Sequence, residues 1–162
     1  MQKQSLLTYL PWILAVFIAV IFVQSLFFKF SNSFETQHIF STIGTWMADI
    51  GFPQGLANGF TAYGGYSVGT VELIASALLL IPRSQVIGAV ISAGVIAGAI
   101  FFHLFTPLGV SVVIDEAGNQ DGGQLFALAV AVLLASLAIL WIRRENLQDI
   151  FSARAQRSES AA

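Results

Sequence analysis

A chain of 162 residues that is 56% hydrophobic and only 10% charged lies well outside the composition of water-soluble domains. Its mean hydropathy of +0.79 points to insertion in a membrane. The net charge of −2 is too small to recruit nucleic acid, and the lack of cysteine excludes disulfide relay, Cys-ligated metal and thiolate catalysis.

The first apolar segment runs from about Leu10 to Phe28. Pro11 and Trp12 stand where a first helical turn and a headgroup layer favour them. The segment is long and ends in Phe27-Phe28-Lys29-Phe30 without a small-residue cleavage site, so it reads as a span and not as a signal peptide. After Ser31-Asn32-Ser33, residues Ile39, Ile43, Trp46, Met47 and Ile50 recur at helical spacing, with Glu35, Thr42 and Asp49 among the polar positions. This stretch predicts a short amphipathic helix on the outer face. Phe52-Pro53 and the glycines at 51, 55, 59, 64 and 65 predict a turned or flexible connector.

The second span is expected from about Ala62 to Ile81 and the third from about Gln85 to Phe105, joined by a tight turn at Pro82-Arg83-Ser84. Thr106-Pro107 stops the third, and a polar loop rich in Asp and Gly leads to the fourth, from about Gln124 to Ile142. Asp121, at the entrance to that span, suits a helix N-terminal cap or a partner's cation. The tail over 145–162 is polar and expected to be flexible. Each span is close to the roughly 20 residues a membrane helix needs, so the expected fold is an all-α, single-domain, four-helix transmembrane bundle. Placing both termini in the cytoplasm puts Lys3, Arg83, Arg143, Arg144, Arg154 and Arg157 on that side, six of the seven basic residues. Lys29 alone breaks the pattern.

Glu72 is the candidate that composition singles out, because it interrupts an apolar run and a carboxylate in hydrocarbon is costly unless protonated, paired or wet. Gly65, Gly69, Glu72 and Ser76 share one helical stripe, whose small residues point to close helix packing with Glu72 facing inward. Glu72 can then be interhelical glue, a proton carrier or an acceptor that fixes a ligand. On the third span, Gly88, Ser92, Ala99 and His103 share a face, while Gly94, Gly98, Phe101 and Phe105 form a second small-residue stripe expected to pack. His103 reads as an interface residue or as part of a site near the outer end. It and His38 carry no metal-ligand spacing, and no metal is expected. For Lys29 the plain reading is snorkelling to the outer surface. The sharper one turns it inward toward Glu72, about two helical turns away in depth, with Gln24 and Ser25 bridging. A cluster of Lys29, Gln24, Glu72 and His103 is then the candidate ligand or proton site. Ala127, Ala131, Ala135 and Ala138 give the fourth span a small packing face.

Several of these segments, taken in order, resemble the DoxX family of small four-span bacterial membrane proteins. They are Phe27-Phe28-Lys29-Phe30, Val71-Glu72-Leu73-Ile74-Ala75, Leu78-Leu79-Leu80-Ile81-Pro82-Arg83, Gly98-Ala99-Ile100-Phe101-Phe102-His103-Leu104 and Asp121-Gly122-Gly123-Gln124-Leu125-Phe126. The likeness extends over roughly Leu10 to Arg144 and lands on Lys29, Glu72 and His103. It implies a bundle in the inner, cytoplasmic membrane that works beside a membrane or extracytoplasmic redox partner, with thiol chemistry not carried over to a chain without cysteine. The leading expectation is a quinone-associated accessory subunit, quinone being the one cofactor implied. A small-solute or proton-coupled transporter, requiring a homo-oligomer of so small a bundle, and a structural assembly factor are the alternatives. Lipid is the partner common to all three.

Overall fold

The computed structural model describes residues 2–144, with side chains from residue 9 onward; the flexible tail expected over 145–162 lies outside the described residues. Five helices follow one another: α1 (Gln2–Phe30), α2 (Phe34–Asp49), α3 (Gln54–Leu79), α4 (Gln85–Phe105) and α5 (Gln124–Ile142). The α4–α5 loop carries a single antiparallel bridge, Val113 to Gln120. α1, α3, α4 and α5 form the bundle, each touching its neighbours around a core that includes Ile18, Phe22, Leu79, Ala89, Val132 and Ile139. α2 packs mainly on α3.

Three helices are long and apolar enough to cross a membrane: α1 over Tyr9–Phe30, α4 and α5. Their outward faces carry exposed Ile13, Phe17, Val20, Ile87, Val90, Leu134 and Leu137, an arrangement suited to lipid contact. α3 is long enough at 26 residues but is not among the three, because Thr61, Tyr63, Tyr66, Ser67, Thr70, Glu72 and several glycines dilute its hydropathy.

Two expectations about helix limits are corrected. α1 starts well before Leu10, which places Pro11 inside the helix and not in its first turn; the Pro11 side chain is fully buried. The flexible connector ahead of the second span is also largely absent. α3 starts at Gln54 directly after Pro53, and Gly55, Gly59, Gly64 and Gly65 are helical. The glycines read as chain breakers in isolation, but tertiary packing uses the space left by Gly64 and Gly65, whereas a Cβ on Gly55 or Gly59 would meet nothing within 4 Å. A Cβ on Gly64 would run into the Phe40 ring, one on Gly44 into Thr61 Oγ1, and one on Gly65 would come within 2.8 Å of Thr36 Cγ2.

The turns between elements are tight and chemically specified. α1 ends with Ser33 N–H donating to the Phe28 carbonyl and Asn32, at φ +50°, donating to that of Lys29. This double hydrogen bond across a left-handed residue is a Schellman stop. Ser33 then caps α2, accepting from Thr36 N–H at 3.3 Å. The same stop recurs at Gly51, φ +95°, with Phe52 N–H donating to the Met47 carbonyl. α2 thus folds back sharply at both ends, burying Thr36, Phe40, Ile43 and Gly44 against α3.

At the opposite end of the bundle, Ser84 Oγ donates to the Leu78 carbonyl and Gln85 Nε2 to that of Leu79. Gly88 lies so close to α3 that a Cβ would sit 2.6 Å from Leu79 N. α4 and α5 are joined by a buried hydroxyl pair, Ser92 and Ser136 at 2.9 Å. The packing face of α5 is Ala129, Val132, Ala135, Ser136 and Ile139, rotated from the expected alanine stripe, whose Ala127 is exposed.

The glycines of α4 divide sharply. Gly88→Ala must displace α3 backbone and is expected to cost about 1–3 kcal/mol. Gly94→Ala meets nothing within 4 Å and should be neutral or stabilise by up to about 1 kcal/mol through helix propensity. Thermal unfolding of both variants in one detergent checks the contrast.

Candidate functional site

Lys29 does not snorkel. Its Nζ lies 2.6 Å from Glu72 Oε2, and both side chains are shielded, with 17% and 5% of their surface exposed. Two structural causes remove the expected gap of two helical turns. Side chains on a helix lean toward its N-terminus, so Lys29 runs back along α1 past Ser25, one turn earlier. Gly69 lets the two helices approach, since a Cβ there would stand 3.0 Å from Phe30 Cε1 and 3.5 Å from Lys29 Cβ.

Ser25 completes the arrangement. Its hydroxyl accepts from Lys29 Nζ at 2.9 Å, and its single proton is shared between Glu72 Oε2 at 2.8 Å and the Phe22 carbonyl at 2.7 Å. Gln24, proposed beside Ser25 as the bridge, makes no hydrogen bond to the pair and instead lines the adjoining cavity. Ser76 Oγ donates to the Glu72 backbone carbonyl at 2.8 Å, so it steadies the helix and leaves the carboxylate to others. An ion pair taken out of water holds only when close and further hydrogen bonded, and here both conditions are met.

The pair sits on the wall of a cavity of about 630 Å³ at the α2 end of the bundle, to which all five helices contribute. The lining is mainly apolar, with Ile21, Phe40, Val68, Phe102, Leu128 and Val132 among its residues. The polar exceptions include Glu72, Lys29, Gln24 and His103, together with Glu35 and Asp121, which the sequence did not single out as site residues. For Gly94 and Gly98 the expected helix packing is not seen: a Cβ on either would meet nothing within 4 Å, and both line the same cavity. Gly65 and Gly69 do carry close packing.

His103 is 7% exposed and is held by the loop after α4, its Nδ1 lying 2.7 Å from the Gly109 carbonyl. A carbonyl only accepts, so Nδ1 carries the proton, and in the neutral ring Nε2 is left as an acceptor. The Phe126 ring meets the imidazole edge-on at 5.7 Å and fixes its plane. Among the described residues neither His103 Nε2 nor Glu72 Oε1 has a hydrogen-bond partner, although both residues are more than nine-tenths buried. The cavity therefore presents two unused acceptors in an apolar surround. His38 stacks on Phe34 at 6.2 Å and does not belong to this lining. No group of three or more His, Asp or Glu placed to hold a metal occurs among the described residues.

Glu35 and Asp121 stand at the rim. Burial and the nearby Asp121 charge push the Glu35 carboxyl above its ordinary value, against a smaller pull from Lys29. At Asp121 burial opposes ionisation but is outweighed by donors, and its pKa falls. The carboxylate accepts from Val112 N–H at 2.8 Å, Gly123 N–H at 3.0 Å, Leu125 N–H at 2.8 Å and Ser111 Oγ at 3.4 Å. Of the two roles read for Asp121, the capping one is the one seen: it ties the α4–α5 loop to the first turn of α5. Comparison with protein-family models, curated proteins and solved structures returned no match.

The two rim carboxylates give opposite pH dependences. Glu35, raised in the folded state, contributes stability below the ordinary 4.5 that is lost as pH rises through its folded value. Glu35→Gln should therefore melt higher than wild type at neutral pH, with the difference closing in acid. Asp121, lowered, contributes above the ordinary 3.8 and loses it as pH falls through its folded value. Asp121→Asn should cost about 1–3 kcal/mol at neutral pH, toward the low end at this solvent-reached position, and little in acid. Melting curves from pH 3 to 8 read both slopes.

Proposed function

We propose that the protein is a four-span, DoxX-like protein of the cytoplasmic membrane whose central cavity binds the head group of a quinone, as the accessory subunit of a membrane redox process. The observation that carries the reading is the pair of unpartnered acceptors, Glu72 Oε1 and His103 Nε2, on the wall of an apolar cavity of about 630 Å³. Pockets of this size and lining suit flat, largely apolar molecules that a few polar groups orient.

α3 is the fourth span in this reading. It lies between α1 and α4 within the bundle and exposes Tyr63, Tyr66, Leu73 and Ile74. The α3–α4 turn with Arg83 and the end of α5 with Arg143 and Arg144 share one end of the bundle, assigned to the cytoplasm by the positive-inside tendency. Lys29 ceases to be an exception, because its charge is spent on Glu72 and not on topology.

The chemistry of the acceptors selects the redox form. An oxidised quinone offers only acceptors, whereas the reduced quinol offers two hydroxyl donors, which match Glu72 Oε1 and His103 Nε2. Binding the quinol pairs both of these acceptors, and binding the quinone leaves them facing acceptors. The residues can also receive the quinol protons when a redox partner withdraws its electrons.

Titration of the purified protein with a short-chain benzoquinol and its oxidised form tests this. The quinol is expected to bind the tighter of the two, with Glu72→Gln and His103→Phe each losing about tenfold or more. Equal affinity for both forms, or variants that bind like wild type, would remove these residues from the site. Failure of the wild type to bind either form, with solute flux in liposomes abolished by Glu72→Gln, would turn the reading to proton-coupled transport.

A further inference from the structure

The cavity also has an opening on its flank, between α3 and α4. At the α2 end these helices are closed over by aromatic rings: Phe60 of α3 lies 5.8 Å from Phe102 of α4, and Trp46 of α2 stands edge-on to Phe102 at 6.4 Å. At the far end they are in backbone contact at Gly88 and Leu79. Between the two closures, Ser67 and Val71 of α3 and Gly94 and Gly98 of α4 all line the cavity. Ser67, Val71 and Gly94 are also exposed, and by helical phase they continue the outward stripes marked by exposed Ile74 on α3 and by exposed Ile87, Val90 and Phe101 on α4; Gly98 is half-buried. A residue that faces both the cavity and the exterior marks an aperture. Both glycines have open space where a side chain would start, so the gap is a feature of the sequence at these positions and not of a side-chain rotamer.

The surroundings of the aperture fix what uses it. Outside it, exposed Ile74 and Val90 continue the apolar faces of α3 and α4, the surface suited to lipid. Inside, Glu72 Oε1 and His103 Nε2 wait without partners. An aqueous solute has no reason to enter through an apolar flank, while an amphiphile already in the bilayer does. We propose that the α3–α4 aperture is a lateral portal through which a membrane-resident, isoprenoid-tailed quinol places its head in the cavity while its tail stays in lipid. The inference rests on the head-group reading above and adds the route and the requirement for a tail.

Blocking the portal while leaving the head site intact separates the two. Gly94→Leu fills the aperture from α4, and Val71→Trp fills it from α3 with both glycines native. Each is reconstituted in liposomes and titrated with a long-tailed benzoquinol and with the same head group lacking the tail. Both variants are expected to lose about tenfold or more in affinity for the tailed quinol relative to the tail-less one. Unchanged affinity for the tailed quinol in both variants overturns the portal. Equal losses for both probes also overturn it, since the residues would then belong to the head pocket. If wild type binds neither probe, the head-group reading fails and the portal with it.

Discussion

Much of this structure depends on keeping one carboxylate and one ammonium together in an apolar bundle. Glu72 and Lys29 lie 2.6 Å apart, with Ser25 closing the triangle. Either charge alone would be expensive there, and side-chain removal on one partner would leave the other uncompensated. The pair therefore sets the register of α1 against α3, and the small residues around it follow from that constraint. Gly69 brings the helices within reach of one another, and Gly64 and Gly65 seat α2 over the same region through Phe40 and Thr36. Satisfying Oε2 doubly while leaving Oε1 free converts a structural device into a polar wall for a cavity.

Around that wall the bundle is tight at one end and open at the other. Gly88 against Leu79 and the hydroxyl pair of Ser92 and Ser136 draw the helices together away from α2. Toward α2, all five helices line the cavity. The capped, sharply turned α2 and the loop tied down by Asp121 hold it from above.

Much of this was legible in the residues. An isolated acid in an apolar run, a lysine against the charge rule and a histidine near a helix end drew attention through the cost of burying them, which does not depend on tertiary detail. The rest was not legible for specific reasons. A stripe of small residues reads alike whether a neighbouring helix fills it, as at Gly65, or nothing does, as at Gly94 and Gly98. Ser25 and Gln24 are sequence neighbours with different helical phase, and only the rotation of α1 decides which reaches Glu72. Glu35 and Asp121 lie far apart in the chain, at the start of α2 and before α5, so no local pattern joins them to a common rim. The early turns of α3 are covered by α2, where Gly44 lies against Ala57 and Thr61, a tertiary contact that no local pattern around Gly55 and Gly59 announces.

The central claim, that an inward Lys29–Glu72 pair organises the bundle, is tested most directly by exchanging the charges. Unfolding free energies of Lys29→Glu, Glu72→Lys and the double exchange are measured against wild type in one detergent. Each single change places two like charges together in the bundle and is expected to cost about 3–5 kcal/mol, while the double exchange recovers most of that loss. A double variant whose loss equals the sum of the two singles would mean that the charges do not interact, and would contradict the account.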